Sequence, residues 1–327
     1  MTALPGLGNT SIKTGGHELF PARSRKWHNN DEAGHAVSKA TLQGRVVLIT
    51  GGSSGIGLAT AHRLAGLGGK LALLARSVGP LDQAVQQVRH IGAEALAVPA
   101  DVTDPTQCQR AVTATVDHFG RLDALICSAG ISMRSLLESS DLAAIEQVMR
   151  VNFFGTLYPT YCAIPHVKQT RGSLIAVSSL TGKRAVPSYG AYSASKFAVH
   201  GLYQSLRLEL RGDGVHVGVV SPGFVATPLR QRVLGPDGQP WPVPPPHPFR
   251  VWSVEKCVDR IMQVLLHRRR EALLPWFVGP LLALEQAVGG WLGDLYLGRK
   301  FRNNAELLTS FAKSDAIPPE PHLKQSR

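Results

Sequence analysis

An α/β fold is predicted by this sequence: a doubly wound parallel sheet of about seven strands with helices on both faces, forming one domain with an extension at each end. Three observations carry that expectation. Short apolar runs alternate with longer stretches of helical periodicity from Val46 onward, and strands separated by helices pair in parallel. The first apolar run, Val46-Val47-Leu48-Ile49-Thr50, passes straight into a glycine-rich turn and then into an apolar helical pattern. A chain of 327 residues with 44% hydrophobic content has apolar material for one large core, and no repeat of solenoid period interrupts it.

The elements follow in order. Strands are predicted at 46–50, 71–75, 95–99, 124–127, 173–178 and 215–221, with a last short one near 272–274, because each is an apolar run too short for a helix. Helices are predicted at 56–67, 81–91, 105–119, 142–166, 191–211 and 254–267, where apolar residues recur at three- and four-residue spacing. Residues 1–41 are polar and rich in Gly, Ser, His and Asn; they read as an N-terminal extension, partly disordered, without the apolar stretch of an export signal. The core domain is placed at 42–275. Within it, 224–252 carries six prolines between 240 and 248 and is too long for a simple connection, so a lid is expected there. Residues 276–327 form an apolar, amphipathic extension and a polar tail.

Two patterns carry chemistry. In Thr50-Gly51-Gly52-Ser53-Ser54-Gly55-Ile56-Gly57 the glycines sit between strand and helix, where a tight turn and a close backbone approach to a pyrophosphate require them. The helix N-terminus then offers free N–H groups to the anion. The second pattern is Tyr192-Ser193-Ala194-Ser195-Lys196, which places a phenol and an ammonium four residues apart, on one face of a helix, with Ser179 thirteen residues before the phenol. A free tyrosine, with a pKa of roughly 10, is a poor acid at neutral pH, and a fixed positive charge is expected to pull that value down. Tyr189 lacks a basic partner four residues on, since that position is Ser193, and reads as pocket lining.

Together these residues resemble the short-chain dehydrogenase/reductase family over roughly 42–275. The resemblance implies a Rossmann-type fold and an NAD(P)-dependent oxidoreductase acting on a carbonyl or secondary alcohol. By the same resemblance Gly51, Ser53, Ser54, Gly55, Ile56 and Gly57 form the cofactor loop, and Asp101 and Val102 position adenine. Ser128, Ala129 and Gly130 follow the fourth strand, where Cys127-Ser128-Ala129-Gly130 departs from the family's Asn-Asn-Ala-Gly. Pro222, Gly223, Val225 and Thr227 match the segment that binds the nicotinamide end. Asn152, Ser179, Tyr192 and Lys196 match the catalytic positions: Ser179 and Tyr192 hold the carbonyl oxygen, Tyr192 exchanges the proton, Lys196 activates it and binds the nicotinamide ribose, and Asn152 bends its helix and anchors a relay water.

At the end of the second strand Ala75 stands where a carboxylate would bind a ribose 2′-hydroxyl, while Arg76 and Ser77 offer donors to a 2′-phosphate. NADP(H) is therefore the expected cofactor. Ser179, Val186, Tyr189 and Tyr192 are expected to line the substrate pocket, which Trp241, Val243 and the apolar tail, packing over the pocket or at a subunit interface where it does not meet a membrane, would make lipophilic. The stretch 178–201 is similar to that of membrane-associated steroid- and lipid-type reductases of the family, so a steroid, retinoid, long-chain or sphingoid ketone is expected.

The four cysteines are scattered and the twelve histidines show no ligand spacing, so no metal site is expected. A net charge of +12 is consistent with a polyanionic cofactor or an anionic membrane surface. No basic-aromatic arrangement points to nucleic acid. His267-Arg268-Arg269-Arg270 precedes an apolar stretch whose prolines, Glu285 and Asp294 interrupt any span, so 273–297 is a candidate for peripheral membrane contact of an otherwise cytoplasmic homodimer or homotetramer. Two other classes fit parts of the pattern: a non-catalytic NADP(H)-binding regulator, which would need the glycine loop and Arg76 without the proton donor, and a sugar-nucleotide epimerase or dehydratase, which would need a larger C-terminal domain.

Overall fold

A computed structural model describes residues 42–243 and 249–302; the predicted N-terminal extension, the end of the polar tail and the centre of the proline-rich lid lie outside the described residues. Seven strands form one parallel sheet: β1 (Val46–Thr50), β2 (Lys70–Ala75), β3 (Ala95–Pro99), β4 (Ala124–Cys127), β5 (Ser173–Val177), β6 (His216–Pro222) and, after the short β7 (Phe224–Val225) and β8 (Val251–Trp252), β9 (Glu271–Leu274). Their order is β3-β2-β1-β4-β5-β6-β9. In β1 the register aligns Thr50 with Leu74 of β2 on one side and with Cys127 of β4 on the other. The order therefore reverses at β1, and the crevice beyond the carboxyl ends of β1 and β4 is where such sheets bind ligands.

Both faces of the sheet are covered, which is why its strands read as unbroken apolar runs. Val47 and Ile49 point into a cluster with Ala61 and Leu64 of α1 (Gly55–Gly66), Leu81 and Val85 of α2 (Val78–His90) and Ile261 of α7 (Val254–Leu266). Val46 and Leu48 point the other way, toward Val112 of α3 (Pro105–Phe119), Ala163 of α5 (Gly155–Thr170) and Tyr203 of α6 (Gly190–Glu209). The period-two alternation of β1 thus survives, but it sorts side chains between two cores.

Most predicted elements shift a boundary by one to three residues, and two regions change in kind. The helix expected at 142–166 is two helices, α4 (Leu142–Met149) and α5, joined by a π-helical turn over Arg150–Phe154. β6 runs one residue later than expected because His216 is buried, its ring meeting Ser173 Oγ at 3.3 Å and Arg269 O at 2.9 Å. The lid is partly built in: β7 pairs with β8, and Pro228–Arg232 forms a 3-10 turn between them. Beyond β9 the apolar extension folds into α8 (Val278–Ala287) and α9 (Trp291–Arg302). Among the described residues, no helix is long and apolar enough to cross a membrane.

Candidate active site

The glycine loop is shaped by contacts that leave no room for side chains. Gly51 has φ +67, and a Cβ there would lie 2.9 Å from the backbone of Ala129. A Cβ on Gly57 would collide with the carbonyl of Gly51, so the first turn of α1 packs directly on the loop. Ser54 occupies the N-cap in extended conformation without a side-chain capping bond, which leaves the first-turn N–H groups of α1 available to an anion. Ser53 is half-buried and Gly55 approaches Thr227, with 3.6 Å between its would-be Cβ and the threonine side chain. The hydroxyl of the buried Thr50 accepts hydrogen bonds from the N–H groups of Ser128 (3.1 Å) and Ala129 (3.2 Å). Strand β1 is thereby tied to the loop after β4, and the two segments expected to hold opposite parts of a dinucleotide are locked together. These cradles and the uncapped helix end fit a dinucleotide.

At the neighbouring strand ends, Arg76 is exposed and its guanidinium lies 3.9 Å from Asp101 Oδ2. Ser77 is the N-cap of α2 and makes no capping bond with its side chain. The other carboxylate oxygen of Asp101 accepts from Thr103 N and Thr103 Oγ1, both at 2.9 Å. Val102 is buried against Gly155, so its side chain belongs to the core.

Asn152, Ser179, Tyr192 and Lys196 come together from three segments, the last two from α6. Asn152 sits in the π turn, fully buried; its side chain bonds the backbone of Ile131 and donates to Ser195 Oγ at 3.0 Å. The bend anticipated at this residue is the π turn, and Thr156 Oγ1 donates to the Asn152 carbonyl at 2.8 Å. Ser179, at the end of β5, accepts from Thr181 N (3.2 Å) and Thr181 Oγ1 (3.1 Å), which orients its own proton away from that turn. Lys196 donates from Nζ to Val177 O at 3.2 Å and lies 5.7 Å from the centroid of the Tyr192 ring. Gly130 lies between them: a Cβ on it would meet Asn152 Oδ1 at 3.1 Å and Lys196 Nζ at 3.6 Å.

Electrostatics here depart from the sequence-based expectation. Burial pushes the Tyr192 phenol up to about 12, a hydrogen bond with Ser179 opposing it and Tyr189 adding to it. Burial likewise pulls the Lys196 ammonium down to about 8, with the thiol of Cys127 acting the other way. The expected lowering of Tyr192 by Lys196 is thus overridden: both groups are desolvated, and desolvation disfavours each charged form more than the pair recovers at this separation.

Above these residues opens a cavity of about 840 Å³. Ser179, Tyr192 and Lys196 line it, together with Ile56, Ser128, Gly130, Pro222, Gly223, Val225 and Thr227 from the cofactor segments and Val186 and Tyr189 from the predicted pocket. The ring of Tyr189 packs edge-on against Tyr192 and Phe224, with centroids 6.3 and 5.9 Å apart. Trp241 and Val243 do not line the cavity. Trp241 donates from Nε1 to Arg134 O at 3.1 Å, and Val243 is exposed. The apolar wall comes from the apolar tail, as α8 and α9, through Val278, Leu281, Leu282, Leu292 and Leu297. Arg134, Arg184 and Glu285 also line the cavity and were missed in the sequence. Glu285 had a signal, being one of two acids in the apolar stretch 273–297, and Arg184 another, standing five residues after Ser179. Arg134 had none.

Among the described residues, no three His, Cys, Asp or Glu side chains gather in a metal-binding group. The basic run 267–270 and the apolar α8–α9 segment, adjacent in sequence, lie at opposite ends of β9, and Arg268 donates to Arg171 O and Gly214 O at 3.1 and 2.6 Å. Those arginines therefore do not flank the apolar helices.

Comparison with known proteins agrees with this geometry. Residues 45–236 match the model of the short chain dehydrogenase family. The chain is 36% identical over 253 residues to 11-beta-hydroxysteroid dehydrogenase 1A of Arabidopsis thaliana, covering 74% of this chain and 71% of the relative. It is 35% identical over 248 residues to 11-beta-hydroxysteroid dehydrogenase A of Arachis hypogaea, covering 72% and 70%, and 31% identical over 245 residues to a Pinus massoniana 11-beta-hydroxysteroid dehydrogenase, covering 72% and 68%. A glycine loop locked to the end of β4, a serine, tyrosine and lysine converging beside it and these matches lead to one conclusion: the chain belongs to the short-chain dehydrogenase/reductase family of NAD(P)(H)-using oxidoreductases.

Proposed function

We propose that the protein is an NADP(H)-dependent oxidoreductase that interconverts a carbonyl and a secondary alcohol on a lipophilic substrate, with Tyr192 as acid and base. The observation that carries this reading is the convergence of Ser179, Tyr192 and Lys196 on the floor of a cavity whose far wall is apolar. A bound nicotinamide supplies or accepts the hydride. Ser179 has its lone pairs engaged by Thr181, so its proton is available to a substrate oxygen; together with Tyr192 it holds and polarises the carbonyl. Tyr192 delivers its proton to that oxygen as negative charge develops there, and takes it back in the oxidative direction. Lys196 places a cation beside the phenol and donors toward the cofactor, and Asn152 fixes the helix that carries both.

Arg76 and Ser77 support a preference for the phosphorylated cofactor: the guanidinium is exposed, the hydroxyl makes no capping bond, and the first turn of α2 contains no acid. The relatives named for a hydroxysteroid support a steroid-like or other large apolar substrate. The end of the sheet at Leu274 and the start of α8 at Val278 support a core domain of 42–275, with 224–252 as lid and 276–327 as extension. Exposed Phe154 and Tyr161 near and on α5 and Phe197 and Leu208 on α6 support a homo-oligomer, and exposed Trp276, Leu284, Trp291 and Leu295 support peripheral membrane contact.

The deciding experiment is NADPH consumption over a panel of lipophilic ketones, with NADH in parallel and Tyr192→Phe as control. Turnover that favours NADPH and vanishes in the variant is the expected result. Tight NADPH binding without turnover in either direction would overturn the catalytic reading in favour of a regulator.

A further inference from the structure

The two helices that wall the cavity are weakly held by the core. No residue of α8 is buried, and in α9 only Leu297 and Phe301 are, the latter with its ring 6.2 Å from that of Phe249. A helix gains most of its stability in a protein from packing an apolar face, and the inner face of α8 has the cavity beneath it. Polar ties compensate. Arg184 places Nε 2.9 Å from Glu285 Oε1 on α8 and NH2 2.6 Å from Asp294 Oδ1 on α9, so one guanidinium spans both helices. Gly293 makes this geometry attainable, since a Cβ there would collide with the Glu285 carboxylate. Glu285 and Arg184 are both mostly shielded from water, so their ion pair is little screened although Nε and Oε1 are not aligned as a hydrogen bond, whereas the contact with the exposed Asp294 is a hydrogen bond.

Arg184 belongs to the same segment as Ser179. The backbone N–H groups of Lys183 and Arg184 both donate to Leu180 O at 3.0 Å, and Lys183 Nζ pairs with Glu271 Oε2 of β9 at 2.8 Å. The segment is fastened to the sheet by one residue and to the cavity wall by the next.

We propose that Arg184 is a positioning residue for substrate selection: by clamping α8 and α9 over the cavity through Glu285 and Asp294, it makes the enzyme favour long, apolar carbonyl compounds over compact ones. This rests on the reading that substrate occupies the cavity. A long substrate contacts Leu281, Leu282 and Leu297 as well as the catalytic floor and gains the burial of that surface. A compact ketone reaches the floor alone and is indifferent to the wall.

The test compares Arg184→Gln, Glu285→Gln and Arg184→Lys with the parent chain, reading kcat/KM for a long-chain ketone against that for a compact, water-soluble ketone, and the dissociation rate of an apolar fluorescent probe from the cavity. Loss of the clamp should lower the long-to-compact ratio roughly fivefold or more, through KM for the long ketone, and speed probe release by a similar factor. Arg184→Lys, which keeps the charge but has no fork to span both carboxylates, should restore only part of the ratio. Glu285→Gln carries the test if Arg184→Gln loses NADPH binding through misfolding. A ratio within twofold of the parent together with an unchanged probe rate would overturn the clamp. Absence of turnover by the parent itself would count against the reductase reading alone, and the probe rate would then decide the clamp.

Discussion

Asn152 and Ile131 are joined in both directions: Asn152 Nδ2 donates to Ile131 O at 2.9 Å, and Ile131 N donates to Asn152 Oδ1 at 2.8 Å. With the further bond to Ser195 Oγ, one buried amide staples the π turn to the loop after β4 and to the helix carrying Tyr192 and Lys196. Asn152→Ala leaves the half-buried N–H and carbonyl of Ile131 without their protein partners, and each such group costs up to about 1–3 kcal/mol. The variant should lose roughly 3 kcal/mol of stability in urea unfolding and turn over more slowly, with NADPH affinity less affected than kcat. Stability equal to that of the parent would show that the staple is replaced by water.

Arg76 should set cofactor preference without touching the chemistry. A charge-assisted bond to a phosphate contributes about 1.5–3 kcal/mol, so Arg76→Ala should weaken NADPH binding roughly 10- to 100-fold and leave NADH within a few-fold. Titration of cofactor fluorescence in the two cases checks it. Equal weakening of both cofactors would mean that Arg76 supports the loop, through Asp101, and does not read the phosphate.

The fold was legible because the parallel sheet is buried on both faces: Val46 to Thr50 is an apolar run whichever way each residue points. The catalytic side chains were legible because helix periodicity alone brings Tyr192 and Lys196 to one face. Their protonation was not, since the pKa of each depends on how deeply the fold buries it. The π turn at Asn152 was only partly legible, because it answers to Ile131 and Ser195, residues brought near by tertiary folding. Trp241 illustrates the opposite error. Its size and its proline-rich setting suggested pocket lining, yet its indole N–H found a carbonyl on Arg134; the apolar tail, expected beside the pocket, does line it, though its internal prolines and glycines disguised two helices.

Lys196, pulled down to about 8 by burial, should impose a basic limb on carbonyl reduction. Its charge is lost as pH rises through about 8, so kcat/KM should fall above that value while Tyr192, pushed up to about 12, remains protonated. The same group affects stability with opposite sign: its folded pKa lies below the ordinary 10.5, so the cost of burying the cation is present below pH 8 and is relieved between 8 and 10.5. A pH–rate profile with Lys196→Arg, whose charge persists, should lose the limb at whatever reduced rate remains. Persistence of the limb in that variant would assign it to another group.

Two buried histidines should make the protein acid-sensitive before its carboxylates titrate. Burial pulls both His200 and His216 down to about 4 from 6.5; His200 Nε2 meets Ser221 Oγ at 3.1 Å, and His216 bridges Ser173 and the carbonyl of Arg269. The unfolded chain binds a proton at each histidine below pH 6.5, whereas the folded protein does not until pH approaches 4. Stability is therefore fully present above 6.5 and declines as pH falls from 6.5 toward 4, with a limiting slope of about 1.4 kcal/mol per pH unit for each group. Urea midpoints measured from pH 7 to 4.5 should show this decline. His216→Gln should flatten it by about half, because the neutral amide has no proton to gain on unfolding; a slope unaltered in that variant would assign the acid sensitivity to another group.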